Sequence, residues 1–293
     1  MTSPAGPTPF PELNGVLAAF VDAVAGTLRD NLVGVCLVGS FALGGADENS
    51  DVDFMVILER DVTADELAEL QAMHGRFYDL PSDWARHFDG SHAPADLWRR
   101  PPAPGRPPDD DRTPEWVDPG TGAGIGDYPF LYLDNGARLL VRSAHDNTLV
   151  VRWVMREHGV ALAGAPPDTL IDPIDDDALR TEVLGAMREW GSQILRAPEW
   201  VSSLWRQAYL VVSYSRMLQT IETARIHPKA AGARWGMANL DPRWRGLIER
   251  AWGERAEPWR KVHVPADPDE VTASIDFVRY AIDEGRRRMA DGG

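Results

Sequence analysis

The stretch GSFALGGADENSDVDFMVIL, residues 39 to 58, places Gly39-Ser40 at the end of one apolar run and Asp51-x-Asp53 at the head of another. The two runs, LVGVCLVG at 32 to 39 and DFMVIL at 53 to 58, are short and rich in β-branched residues, and Gly, Asn and Ser bound them. They are expected to be strands of one buried sheet joined by a tight Gly-containing turn. Side chains two apart on a strand leave the same face, so the carboxylates of Asp51 and Asp53 are expected to converge as two hard oxygen donors. That donor set suits Mg²⁺, which takes a couple of carboxylates and completes its shell with water and phosphate oxygens. Gly39 and Ser40, at a helix start on the neighbouring strand end, are expected to offer backbone amides and a hydroxyl to a phosphate. A turn leading into an edge strand would explain an isolated Asp-x-Asp. It would not explain the whole combination.

The rest of the chain divides into two styles of pattern. Apolar positions at helical spacing (Leu13, Leu17, Phe20, Val21, Val24, Leu28) predict an opening helix that stops at Asn31. Thr63 and Glu66 have capping-box spacing and predict a helix over 64 to about 77. WARHFDGSHAP, 84 to 94, is a weaker strand candidate carrying Asp89. Residues 100 to 119, rich in Pro and Asp, cannot form a helix interior or a central strand and are expected to be an exposed loop. GTGAGIG at 120 to 126 lacks a preceding strand and reads as loop, not as a dinucleotide turn. DNTLVVRWVMREHG, 146 to 159, predicts a helix capped by Asp146 or Asn147 and stopped by Gly159. The Pro- and Asp-rich run 163 to 177 marks a boundary, giving domains of 1–172 and 173–293. Beyond it, helices are expected at 176 to 196, 202 to 224, 228 to 239, 242 to 251 and 268 to 289, with Pro198, Pro228, Pro242 and Pro268 at their joints.

Bulk properties narrow the function classes. The net charge of −15 argues against a nucleic-acid partner, and no apolar run is long enough to cross a bilayer. The N-terminus lacks the basic start and apolar run of a signal peptide, so a cytoplasmic location is expected; a monomer is expected as well. The single cysteine, Cys36, excludes an internal disulfide and lies in an apolar run as an inert thiol. The lone cysteine also excludes a cysteine-based zinc site, and none of the seven histidines is expected to form a zinc-type pair.

Gly39-Ser40 followed by Ser50-Asp51-Val52-Asp53 resembles the signature of the polymerase-β-like nucleotidyltransferases. REHGVALAG (156 to 164) and YSRMLQTIETARIHPKAAGARWGMANLDPRW (214 to 244) resemble the aminoglycoside O-adenylyltransferases that modify streptomycin and spectinomycin, and confer resistance to them. That resemblance implies an α+β fold, in which a nucleotidyltransferase domain with a mixed sheet flanked by helices precedes an all-α bundle. It implies ATP as co-substrate with two Mg²⁺ ions on Asp51 and Asp53, a phosphate cradle of Gly39, Ser40 and Ser50, and transfer of AMP to a hydroxyl of an aminoglycoside-like small molecule. Asp89 stands where the family carries its base, usually a glutamate, with His87 and His92 as alternative proton acceptors. Lys229 matches a family lysine that reaches the ATP phosphates, and Arg216 is a possible second cation. Ser202, Arg206 and Tyr209 fall where streptomycin-modifying members carry acids. Tyr132 and Trp153 are candidates for stacking on substrate or adenine, with core packing the plainer fate of Trp153. The alternative is a nucleotide-binding regulatory member, or transfer to another small-molecule, protein or RNA acceptor.

Overall fold

The computed structural model describes residues 6–99, 130–254, 261 and 263–291. The proline-rich stretch at 100 to 119 and the GTGAGIG segment lie outside the described residues. The chain divides into two compact units, Met1–Ala46 with Ser50–Pro173 and Asp47–Asn49 with Ile174–Gly293.

The first unit is built on a six-stranded mixed sheet. Its strands are β1 (Leu32–Leu37), β2 (Val52–Leu58), β3 (Phe88–Pro94), β4 (Phe130–Leu133), β5 (Val141–Ser143) and β6 (Val160–Gly164), in spatial order β5-β4-β3-β2-β1-β6. Only β2 and β3 run parallel; the other neighbours are antiparallel. The helices are α1 (Pro11–Leu28), the one-turn α2 (Gly39–Ala42), α3 (Ala64–Tyr78), α4 (Ala95–Arg99) and α5 (Leu149–His158). Alternation along the strands decides the faces. Val35, Leu37, Val52, Phe54, Val56, Leu58, Phe88, Leu131 and Leu133 form one buried face, packed with Leu13, Leu17, Phe20 and Val24 of α1 and Leu67, Leu70 and Phe77 of α3. The opposite face therefore carries Asp53, Asp89 and Ser91.

Local sequence explains most element ends. The capping box on α3 forms as expected: the Glu66 amide donates to Thr63 Oγ1 at 3.2 Å, and the Thr63 amide to Glu66 Oε2 at 2.7 Å. Such a cap contributes about 1 kcal/mol. The N-cap of α5 is Thr148, whose hydroxyl accepts from the Val151 amide. This corrects the expectation of Asp146 or Asn147, because Asp146 is drawn into the interior instead. Arg152 of α5 is buried and donates to the carbonyls of Leu97 and Trp98. It thereby serves carbonyls at the end of α4 that have no helical partner.

The second unit is helical: α6 (Asp176–Arg196), α7 (Leu204–Thr223), α8 (Lys229–Asn239), α9 (Arg245–Gly253) and α10 (Pro268–Asp291). The helix predicted at 202 to 224 begins two residues later, as α7, because Ser203 caps it by accepting from the Arg206 amide; a 3₁₀ segment, Pro198–Ser202, precedes it. Likewise Pro242–Trp244 is a 3₁₀ turn before α9. α7 is central, burying Leu210, Val211, Tyr214, Leu218 and Ile221. The Tyr214 hydroxyl is satisfied by the Met187 carbonyl at 2.8 Å. Among the described residues no helix is long and apolar enough to cross a membrane.

Candidate functional site

The parallel pairing of β2 with β3 builds the site. Its register sets Asp53 directly opposite Asp89, with Val52 opposite Phe88 and Phe54 opposite Gly90. Because Val52, Phe54 and Phe88 face the helix-packed core, both carboxylates leave the other face of the sheet side by side. Asp51 precedes the first residue of β2, and Ser50 before it is buried. Gly90 lets the two strands run this close: a Cβ there would run into the Phe54 carbonyl, and its φ is 157°.

The turn after β1 meets the same point from the side. The Val38 amide donates to the Asp53 carbonyl at 2.9 Å, which ties the end of β1 to the second aspartate. Gly39 follows with φ 59°, in the left-handed region, and a Cβ on it would fall inside the Asp53 carboxylate. Only glycine satisfies both demands. The next residue carries the most telling atom. The Ser40 hydroxyl oxygen is buried and has no hydrogen-bond partner among the described residues. Buried polar atoms are nearly always satisfied, so an orphan next in the chain to Gly39, which abuts the Asp53 carboxylate, is a place for a ligand atom.

Electrostatics set Asp89 apart. Burial, and then repulsion from Asp146, Asp53, Asp134 and Asp51, hold its carboxyl well above the ordinary carboxylate range. Two of those neighbours, Asp146 and Asp134, were not assigned to the site from the sequence. Asp146 is buried and accepts a 2.6 Å hydrogen bond from the Ser91 hydroxyl, two residues along β3 from Asp89. Burial raises the Asp146 carboxyl as well. Asp134 follows β4 and is exposed. Tyr132 lies between, its hydroxyl 3.4 Å from Asp89 Oδ2 and 3.2 Å from Asp134 Oδ1. Its ring is buried and stacks on His145, so Tyr132 is not a stacking platform for a ligand, contrary to expectation. Trp153 is buried against His158.

The histidine alternatives to Asp89 fare differently. His92 leaves β3 on the opposite face from Asp89 and meets His74 of α3, Nε2 to Nε2 at 3.3 Å, deep in the core. It is therefore no substitute base, and the fold creates a histidine pair that spacing along the chain did not reveal. His87 precedes β3 and contacts Asn135 through Nδ1 at 3.1 Å. Cys36 is buried, and burial pushes its thiol up to about 12, which keeps it inert.

The remaining predicted residues belong to the helical unit. Lys229 is the first residue of α8, with its ammonium 5.8 Å from the Tyr209 ring centroid. Arg216 lies on α7 where α8 approaches most closely, since a Cβ on Gly232 would sit 2.7 Å from the Arg216 Cβ. The structure thus brings Gly39, Ser40, Asp53 and Asp89 together, and sets Arg216 and Lys229 on adjoining helices. Arg206 lies over the Trp200 ring at 5.4 Å, and Tyr209 stacks on Trp205 at 5.2 Å.

Two carboxylates at a strand head and an unpartnered hydroxyl fit a magnesium nucleotide, because that ion draws the rest of its shell from phosphate and water. Among the described residues no group of three or more His, Cys, Asp or Glu side chains forms a closed metal cage.

Comparison with known proteins follows this division. Residues 22–86 match the nucleotidyltransferase domain model, and residues 169–281 match the model of the aminoglycoside adenylyltransferase C-terminal domain. An aminoglycoside (3'') (9) adenylyltransferase of Escherichia coli is 24% identical over 283 residues, covering 92% of this chain and 93% of its own. The Shigella flexneri enzyme of the same name is 25% identical over 281 residues, with 92% and 95% covered. The spectinomycin adenyltransferase of Enterococcus faecialis, solved with ATP and spectinomycin, superposes with a TM-score of 0.60 at 13% identity, over 91% of this chain and 98% of that one. The sheet, the helical unit and both domain models agree on a chain that joins a nucleotidyltransferase domain to an aminoglycoside adenylyltransferase C-terminal domain.

Proposed function

We propose that the protein transfers AMP from magnesium ATP to a hydroxyl of a spectinomycin-type aminocyclitol and releases pyrophosphate, which would confer resistance to that class of antibiotic. The observation that carries the nucleotide half is the Ser40 hydroxyl, buried and unpartnered among the described residues and next in the chain to Gly39, which abuts the Asp53 carboxylate; a phosphate oxygen would satisfy it. Asp51 and Asp53 would hold the metal. When bound there, magnesium neutralises triphosphate charge and polarises the phosphoryl group under attack.

The chain's own residues supply the rest. Gly39 and Ser40 cradle the phosphates, with Ser50 buried behind them. Lys229 and Arg216 of the helical unit are cations suited to the outer phosphates. Asp89 accepts the proton of the attacking hydroxyl. Its raised affinity for a proton makes it a stronger base than a solvated carboxylate, and its place opposite Asp53 puts it next to a carboxylate that would hold the metal.

The acceptor follows from side chains on α7 and just before it. Ser202, Arg206 and Tyr209 occupy positions where the streptomycin-modifying members that this chain resembles carry acids. A guanidinium would meet the like charge of Arg206 there. The solved neighbour bound to spectinomycin supports the smaller aminocyclitol. The test is pyrophosphate release from ATP with spectinomycin and with streptomycin offered separately. Turnover with spectinomycin and none with streptomycin is expected; the reverse preference would overturn the acceptor assignment.

A further inference from the structure

Asp89 is one methylene shorter than a glutamate and leaves a buried strand, so its neighbours must set where its carboxylate points. Tyr132 is the side chain equipped to do so. The β3–β4 register sets Tyr132 opposite Ser91, which puts it on the Asp89 face of the sheet. Its hydroxyl lies 3.4 Å from Asp89 Oδ2 and 3.2 Å from Asp134 Oδ1. A tyrosine with a purely structural role hides its hydroxyl against the backbone, as Tyr214 does with the Met187 carbonyl. Tyr132 aims at two carboxylates instead.

The ring is held from behind. His145 stacks on it with centroids 4.5 Å apart and planes 22° apart. His145 is itself fixed, because its amide donates to Ser143 Oγ at 2.9 Å and its neighbour Asp146 accepts from Ser91 Oγ at 2.6 Å. Ser91 stands two residues from Asp89 on the same strand. The loop that presses on Tyr132 is therefore anchored to the strand that carries Asp89.

We propose that Tyr132 is a positioning residue that orients the Asp89 carboxylate through its hydroxyl, and that His145 clamps the Tyr132 ring in place. This rests on the reading of Asp89 as the base. The phenol stays a donor throughout, since burial and the adjacent Asp89 push its proton loss upward.

The test compares Tyr132→Phe, His145→Ala and the double variant with the unaltered full chain, using ATP and spectinomycin. Tyr132→Phe keeps the ring and removes the hydroxyl. It is expected to lower kcat by about 10- to 100-fold through loss of alignment. KM for both substrates should stay within about twofold. His145→Ala is expected to lower kcat by roughly 3- to 10-fold, and to have no further effect once the Tyr132 hydroxyl is gone, because both act through one group. An undiminished kcat in Tyr132→Phe, or losses that multiply in the double variant, would overturn the proposal. A second readout needs no acceptor: carboxyl-¹³C NMR of aspartate-labelled protein, with the Asp89 signal identified by its loss in Asp89→Asn. The signal should move in Tyr132→Phe and in His145→Ala, and a signal that stays in place overturns the contact. If the unaltered protein releases no pyrophosphate, the functional reading fails, and the NMR still decides the contact.

Discussion

At the scale of single residues, function and stability pull in opposite directions at two positions. The Ser40 hydroxyl is buried and unpartnered among the described residues, so it costs the folded protein desolvation that only a ligand repays. Ser40→Ala should leave the thermal midpoint unchanged or higher while raising KM for ATP by about tenfold, the loss of one hydrogen bond to a charged group. Calorimetry and initial rates on the same preparation check both halves; a destabilised variant with normal KM would contradict them. Asp89 is the second case. Its buried carboxylate is crowded by Asp146, Asp53, Asp134 and Asp51, so ionisation at neutral pH strains the fold. Asp89→Asn should raise the thermal midpoint and lower kcat by about 10²- to 10⁴-fold, the usual weight of a general base. A variant that keeps its rate would remove Asp89 from the chemistry.

At the scale of elements, the site depends on close approach. Gly39 combines φ 59° with a Cβ position already taken by the Asp53 carboxylate. Gly39→Ala should therefore cost about 1–3 kcal/mol in backbone strain alone and displace Asp53, so that denaturant midpoint and activity fall together. An active, equally stable variant would show that the turn is not the constraint described. Much of this was readable in advance, because the information is local: two apolar strands, a Gly-Ser end, an Asp-x-Asp head and a capping box each lie within a few residues. The helices of the second unit were readable for the same reason, from prolines and aspartates at their starts. Strands β4, β5 and β6 were not. They are four, three and five residues long, and β6 pairs with β1 from more than a hundred residues away, with a half-exposed pattern that carries no clear alternation. Asp146 misled for a related reason. Its position before a helix reads as a cap, whereas its partner Ser91 is 55 residues distant. Tyr132 was read as a stacking ring because a sequence shows the ring and not where the hydroxyl points.

At the scale of the whole molecule, the sheet separates two kinds of ionisable group, carboxylates on one face and a histidine pair on the other. Burial lowers the His92 imidazole to about 3, and burial with the adjacent His92 holds His74 well below the ordinary value of 6.5. Both stay neutral in the fold and take up protons when it opens. Their contribution to stability is complete above pH 6.5 and declines as pH falls from there, for His92 by about 1.4 kcal/mol per pH unit down to about pH 3 and for His74 in the same direction. Replacing both by leucine should flatten the acid limb of the stability curve between pH 6 and 4, measured by urea unfolding; an unchanged slope would place the acid sensitivity elsewhere. The central claim concerns the other face, where Asp51, Asp53 and Asp89 meet the Gly39-Ser40 turn and would make this chain transfer AMP to a hydroxyl. The most direct measurement is mass spectrometry of spectinomycin incubated with ATP, Mg²⁺ and the protein, with pyrophosphate counted alongside. The account predicts one AMP on the antibiotic for each pyrophosphate released, and neither product with Asp53→Ala. Pyrophosphate released without adenylylated product, or equal yields from Asp53→Ala, would contradict it.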